Sequence, residues 1–128
     1  MSKQVFNGEY EFSASKKMLY PYISTASGLS QWFADDVNIN NADKTFTFLW
    51  DGDENKARMV AQRTNYLVKF EFMDDDDDPN YLEFKLEVND LTQAVFFRIT
   101  DYSDVEDLQE AQDIWDNLIH NLKEIVGG

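Results

Sequence analysis

Five consecutive aspartates, Asp74 to Asp78, are the densest group of chemistry-bearing side chains in the chain. Carboxylate oxygens are the natural ligands of hard cations such as calcium. A usable site must gather those oxygens from a fixed backbone. Consecutive residues on a loop ahead of Pro79 repel one another and point apart, so 74–78 reads as a hydrated loop. Asp51, Asp53 and Asn55 imitate the first half of a calcium loop. The pattern then breaks, because Lys56 stands where a glycine is required and Gln62 where the bidentate glutamate belongs. Residues 51–55 read instead as a hairpin turn. No metal site is expected.

His120 is the single histidine. It follows Asp116 by one helical turn, on the face away from Leu118 and Leu122, and reads as a solvated helix residue. One histidine in a chain without cysteine cannot assemble the usual zinc set. No G-x-S-x-G elbow is present, and no glycine loop that would cradle phosphate. With no acid–base pair in view, enzyme catalysis is the least supported class. No catalytic residue and no cofactor are assigned. Arg63 is of more interest. If Ala57, Met59 and Ala61 face a concave side, strand alternation points Arg63 there too. A half-buried arginine needs a carboxylate or an anionic ligand group, and an ion pair with one of the 25 acidic residues is the plainer reading.

The elements that must position these residues are legible from periodicity. Residues 4–12 alternate loosely and form a first strand. Ser13 or Ser15 then caps a short helix carrying Met18, Leu19, Tyr22 and Ile23. Pro21 inside it keeps it short or bent. Residues 24–28 break the chain, and 29–33 form a second brief helix carrying Trp32 and Phe33. From Val37 the period becomes two. Val37 and Ile39 form a short strand, and Phe46, Phe48 and Trp50 share one face of the next. Further strands follow around Ala57–Gln62, Val68–Phe72, Leu82–Val88 and Val95–Thr100. Joined by turns, they imply an antiparallel meander with one covered and one wet face. The last element is a long amphipathic helix. Leu108, Ala111, Trp115, Leu118, Leu122 and Ile125 recur at spacings of three and four, widened by Ile119 and Val126. Ser103 is placed as its N-cap, with Glu106 completing a capping box. Gly127 and Gly128 end it.

Composition bounds the rest. A chain of 128 residues, 43% hydrophobic and 15% aromatic, can bury a core without metal or disulfide. It is read as a single domain, 1–128. The absence of cysteine excludes a disulfide framework and thiol chemistry. A net charge of −14 repels phosphate backbones and anionic lipid surfaces, so neither nucleic acid nor membrane is an expected partner. No stretch has the length of a signal peptide or a bilayer span, and a cytoplasmic location is expected.

The order strand, two short helices, six strands and a long helix resembles the START-like (SRPBCC, helix-grip) superfamily. The likeness is carried by Gly28-Leu29-Ser30-Gln31-Trp32-Phe33, by the aromatic strand ending in Trp50-Asp51-Gly52, and by the helix around Trp115-Asp116-Asn117-Leu118-Ile119-His120-Asn121-Leu122-Lys123. It looks most like the branch related to activators of the heat-shock chaperone ATPase. The resemblance implies an α+β fold in which a curved antiparallel sheet wraps the C-terminal helix. It also implies non-catalytic binding of a small apolar or aromatic molecule between the two. Such a pocket would be walled by Trp50, Phe72, Phe84 and Phe97 on the sheet and by Trp115, Leu118 and Leu122 on the helix. Arg63 would be its polar anchor. The rival expectation is a chaperone-accessory or protein-interaction module acting through its surface. A cavity of several hundred cubic ångströms favours the first, and a filled core the second.

Overall fold

Seven strands form one antiparallel sheet in the order β1-β7-β6-β5-β4-β3-β2. The computed structural model describes residues 3–73, 77–104 and 106–128, so Asp74, Asp75 and Asp76 of the acidic run lie outside the described residues. Strand β1 (Gln4–Phe12) leads into helices α1 (Lys16–Ser24) and α2 (Ala26–Leu29). Six strands follow: β2 (Asp36–Asn40), β3 (Thr45–Trp50), β4 (Asp53–Arg63), β5 (Leu67–Phe72), β6 (Tyr81–Val88) and β7 (Val95–Ser103). Helix α3 (Leu108–Val126) closes the described chain. The two helices carry the chain from one edge of the sheet to the other. β1 therefore pairs with β7, from Gln4 opposite Ser103 to Phe12 opposite Val95. Among the described residues no helix is long and apolar enough to cross a membrane.

Local chemistry explains the boundaries. Ser15 caps α1 by accepting from the Met18 amide at 3.1 Å. Ser13, the other candidate cap, ties down the far end of the chain: its amide and hydroxyl donate to the Gly128 carbonyl at 2.6 and 2.7 Å. The second helix begins earlier than expected, at Ala26, because Thr25 caps it through the Gly28 amide at 2.9 Å. Gly28 thus lies in a helix rather than in a break, and Trp32 and Phe33 lie in the turns after it. The hairpin at 51–55 is tighter than expected. Asp51 and Gly52 both have positive φ, 51° and 85°, which closes a two-residue turn of the type favoured by Asp-Gly and leaves Asp53 in β4.

The start of α3 also differs from expectation. Ser103 ends β7, and Asp107 is the N-cap, accepting from the Gln109 amide at 2.9 Å. The chain stays extended through Ser103 because β1 pairs with it there. Gly127, at φ 85°, ends the helix in the left-handed conformation, and its amide and that of Gly128 return to the Lys123 carbonyl. Two side-chain bonds hold α3 to β1. The Tyr10 hydroxyl donates to Asp116 at 2.7 Å and accepts from Gln112 at 3.2 Å. Burial and the Asp116 carboxylate together push the Tyr10 hydroxyl far above its ordinary pKa, so it remains a donor.

The core lies between the sheet's inner face and the helices. Phe12, Phe46, Phe48, Phe70, Phe84 and Phe97 are all fully buried. Trp32 and Phe33 pack onto them, with rings near edge-on: Phe33 meets Phe48 at 5.3 Å and 89°, and Phe84 at 5.8 Å and 90°. On α3 the buried line is Ala111, Trp115, Ile119 and Leu122. The helix is rotated relative to the expected stripe. Leu108 and Ile125 are exposed, while Ile119 moves to the centre.

Candidate functional site

An open cleft of about 530 Å³ lies between the inner face of the sheet and α3. Its apolar walls are Phe33, Trp50, Phe72, Leu82, Trp115 and Leu118, with Met73 and Ile114 at the exposed lip. Its polar wall comprises Glu54, Asn55 and Lys56 from β4, Asn80 ahead of β6, and Asp101 and Ser103 from β7.

The two tryptophan walls are fixed by more than packing. Trp50 donates its indole N–H to the Phe33 carbonyl at 2.8 Å. Phe33 stacks on Trp115, centroids 5.7 Å apart at 16°. Trp115 donates its own N–H to Asp101 at 3.0 Å. Asp101 is thus a carboxylate set among apolar groups. Burial raises its pKa, and the hydrogen bonds from Trp115 and Ser103 oppose that rise. The Asn80 backbone is held by its carbonyl, which accepts from the Phe72 amide at 2.9 Å. Its side-chain oxygen is buried and has no hydrogen-bond partner among the described residues. Such a pattern suits binding: aromatic faces for an apolar body and a few placed polar groups for orientation.

The eight residues expected to line a pocket separate into three groups. Trp50, Phe72, Trp115 and Leu118 stand in the cleft wall. Phe84, Phe97 and Leu122 are fully buried and lie in the core behind it. Phe84 is covered by Trp32 at 5.7 Å and by Trp115 at 5.9 Å, which shields it from the cleft. Arg63 is the correction. It is exposed at the end of β4 and is absent from the cleft wall. The register between β4 and β5 shifts between Met59 and Ala61. Ala57 and Met59 face Phe72 and Phe70, but beyond the bulge Gln62 faces buried Val68 and Arg63 faces Leu67. One inserted residue reverses the alternation, so the parity argument fails from Val60 onward.

The polar wall was missed, though a signal for it exists. Extending the alternation of Val95, Phe97 and Ile99 by two steps reaches Asp101 and Ser103. Extending Leu82, Phe84 and Leu86 backward reaches Asn80. Both extensions put polar residues on the covered face, where they need a reason. Met73, Glu54 and Ile114 carried no comparable signal. His120 is exposed and pairs with Glu124 at 3.1 Å along the helix. Among the described residues no group of three or more His, Asp or Glu side chains is placed to hold a metal ion.

A family profile for a START-like superfamily domain matches residues 1–128. The chain is similar to BfR322 from Bacteroides fragilis, at 35% identity, 98% coverage of this chain and 92% of that one, with a TM-score of 0.67. It shares its fold with the Aha1 dimer from Colwellia psychrerythraea, at 18% identity, 96% coverage of both chains and a TM-score of 0.77. It also shares it with MLL2253 from Mesorhizobium loti, at 13% identity, 97% coverage of both and a TM-score of 0.78. A comparison with functionally curated proteins returns no match. The helix-grip order, the curved antiparallel sheet and the whole-length profile agree, and the chain belongs to the START-like superfamily.

Proposed function

We propose that residues 1–128 act as one START-like domain that binds a small apolar or aromatic molecule, without catalysis, in the cleft between sheet and α3. The observation that carries this reading is the cleft itself. Its volume of about 530 Å³ falls within the range of small-molecule sites, and four aromatic rings wall it. Domains of this superfamily commonly bind hydrophobic ligands, which points the same way. Trp50, Phe72, Trp115 and Leu118 are the proposed contacts. Native mass spectrometry of protein purified from its own host tests the reading, with a co-purifying small molecule as the expected result. Saturable binding of an apolar fluorescent probe, with quenching of tryptophan emission, is the companion measurement. Absence of both would remove the proposal.

A surface-acting interaction module, of the chaperone-accessory kind, is the second reading. It draws on the net charge of −14 and on large apolar side chains left in solvent, above all Leu91, which is 95% exposed at the β6–β7 loop. A basic protein partner recovered with the native protein, together with a cleft that takes no probe, would favour it.

A further inference from the structure

Resting on the cleft being a ligand site, we propose that its occupant carries a neutral hydrogen-bond donor, a hydroxyl or an N–H, which pairs with the Asn80 side-chain oxygen. Two acceptor side chains of the polar wall, Asp101 and Asn80, are in different states. Asp101 already receives the Trp115 indole N–H at 3.0 Å and a bond from Ser103. Asn80 receives nothing at its buried side-chain oxygen among the described residues. Its backbone is pinned to β5 through the Phe72 amide, so the side chain starts from a fixed point in the cleft wall. A buried acceptor without a donor is an unfavourable arrangement, and a ligand that supplies the donor relieves it.

The charges around the cleft select neutrality. Glu54 and Asp101 stand in the wall, and the whole chain carries −14, which disfavours an anion. Lys56 stands in the same wall and opposes a cation. Trp50, Phe33, Phe72 and Trp115 accept a flat apolar body. The ligand class is therefore an aromatic or alicyclic alcohol, phenol or N–H heterocycle, rather than a plain hydrocarbon, a fatty acid or an amine.

The test uses two probes with one ring system: 2-naphthol, which donates, and 2-methoxynaphthalene, which does not. Affinities for the full chain are measured by NMR titration or calorimetry. The expected result is tighter binding of 2-naphthol, by about tenfold, as for other sites whose buried polar group is left unpaired by the wrong ligand. The methoxy probe is the more apolar of the two, so burial alone gives the opposite order. Asn80→Leu should erase the preference while leaving binding of 2-methoxynaphthalene in place, which also reports that the variant is folded. Asn80→Asp, which keeps an acceptor oxygen, should retain a preference for 2-naphthol. Equal binding of both probes to the wild type, or a preference that survives Asn80→Leu, overturns the donor proposal and leaves the cleft reading intact. If neither probe binds the wild type, the cleft reading itself fails.

Discussion

Asp101 and Trp115 form the pair on which the cleft's inner end depends. Asp101 is held among apolar groups, and burial raises its carboxyl pKa above the ordinary 3.8. A raised folded-state pKa means that the native state holds this proton more tightly than the unfolded chain does. Its stabilising contribution is full below 3.8 and is lost as pH rises through the raised folded value. Asp101→Asn cannot lose a proton yet still offers an oxygen to the Trp115 indole. The variant should therefore gain stability over the wild type as pH rises above 3.8, and the gain should disappear below it. Denaturant unfolding at a series of pH values measures this, and a difference flat with pH would contradict it. Trp115 is 4% exposed and stacks on Phe33. Trp115→Ala should cost about 3–5 kcal/mol as a large-to-small core change. It should also leave Asp101 without one donor, a further penalty of about 1–3 kcal/mol. A total loss under about 1 kcal/mol would mean that α3 docks elsewhere.

The helices define what the sheet can hold. Along one face of α3 the surroundings change: Ala111 is buried in the core, whereas Leu118, two turns on, lines the cleft. Leu118→Trp should fill the cleft and weaken probe binding at a cost under about 1 kcal/mol, since open space accepts added volume. Ala111→Phe should instead cost about 1–3 kcal/mol and leave the cleft open. Paired stability and probe-binding measurements separate the two, and equal behaviour would mean that the cleft is not where Leu118 lies. The α1–α2 corner is set by Gly28. A Cβ there would meet the Pro21 carbonyl oxygen at 2.1 Å and the Tyr22 Cα at 2.7 Å. Backbone atoms cannot turn aside as a side chain can. Gly28→Ala should therefore force α1 and α2 apart at a cost of about 1–3 kcal/mol or more, read by thermal unfolding. That corner presents Trp32 and Phe33 to the core, and Trp32 is pinned by its indole N–H on the Tyr22 carbonyl at 2.8 Å.

For the molecule as a whole, the charge of −14 on 128 residues is the dominant electrostatic fact. Among the described residues Arg98 offsets part of it, serving two carboxylates, Glu9 and Glu87, each at 3.0 Å on the outer face. Like charges on a compact surface repel more than on an unfolded chain. Added salt screens them, with a Debye length near 10 Å at 0.1 M and about 3 Å at 1 M. The melting temperature should therefore rise as sodium chloride is raised from about 0.01 M toward 1 M. A melting temperature that falls over the same range would mean that surface ion pairs outweigh the repulsion.

The pattern of side chains determined a great deal without coordinates. Seven strands and three helices follow from periods of two and of 3.6, because the covered face of each element must be apolar wherever it lies. Trp50, Phe72, Trp115 and Leu118 were legible as covered residues for the same reason; the resemblance, not the pattern, made them pocket walls. Three further matters were decided only by tertiary structure. Which apolar residues face a cleft and which face the core depends on how α3 is rotated in the sheet; its stripe is wide enough to allow either, and packing against Phe33 and Phe84 fixes Trp115, with Ile119 buried one turn on. The place of Arg63 depends on a bulge near Val60, a single-residue event that leaves no mark in an alternating pattern. The start of α3 depends on β1, since pairing with Gln4 keeps Ser103 extended where its own chemistry suits a helix cap. In each case the local pattern admits two answers of similar free energy, and a partner distant in sequence selects between them.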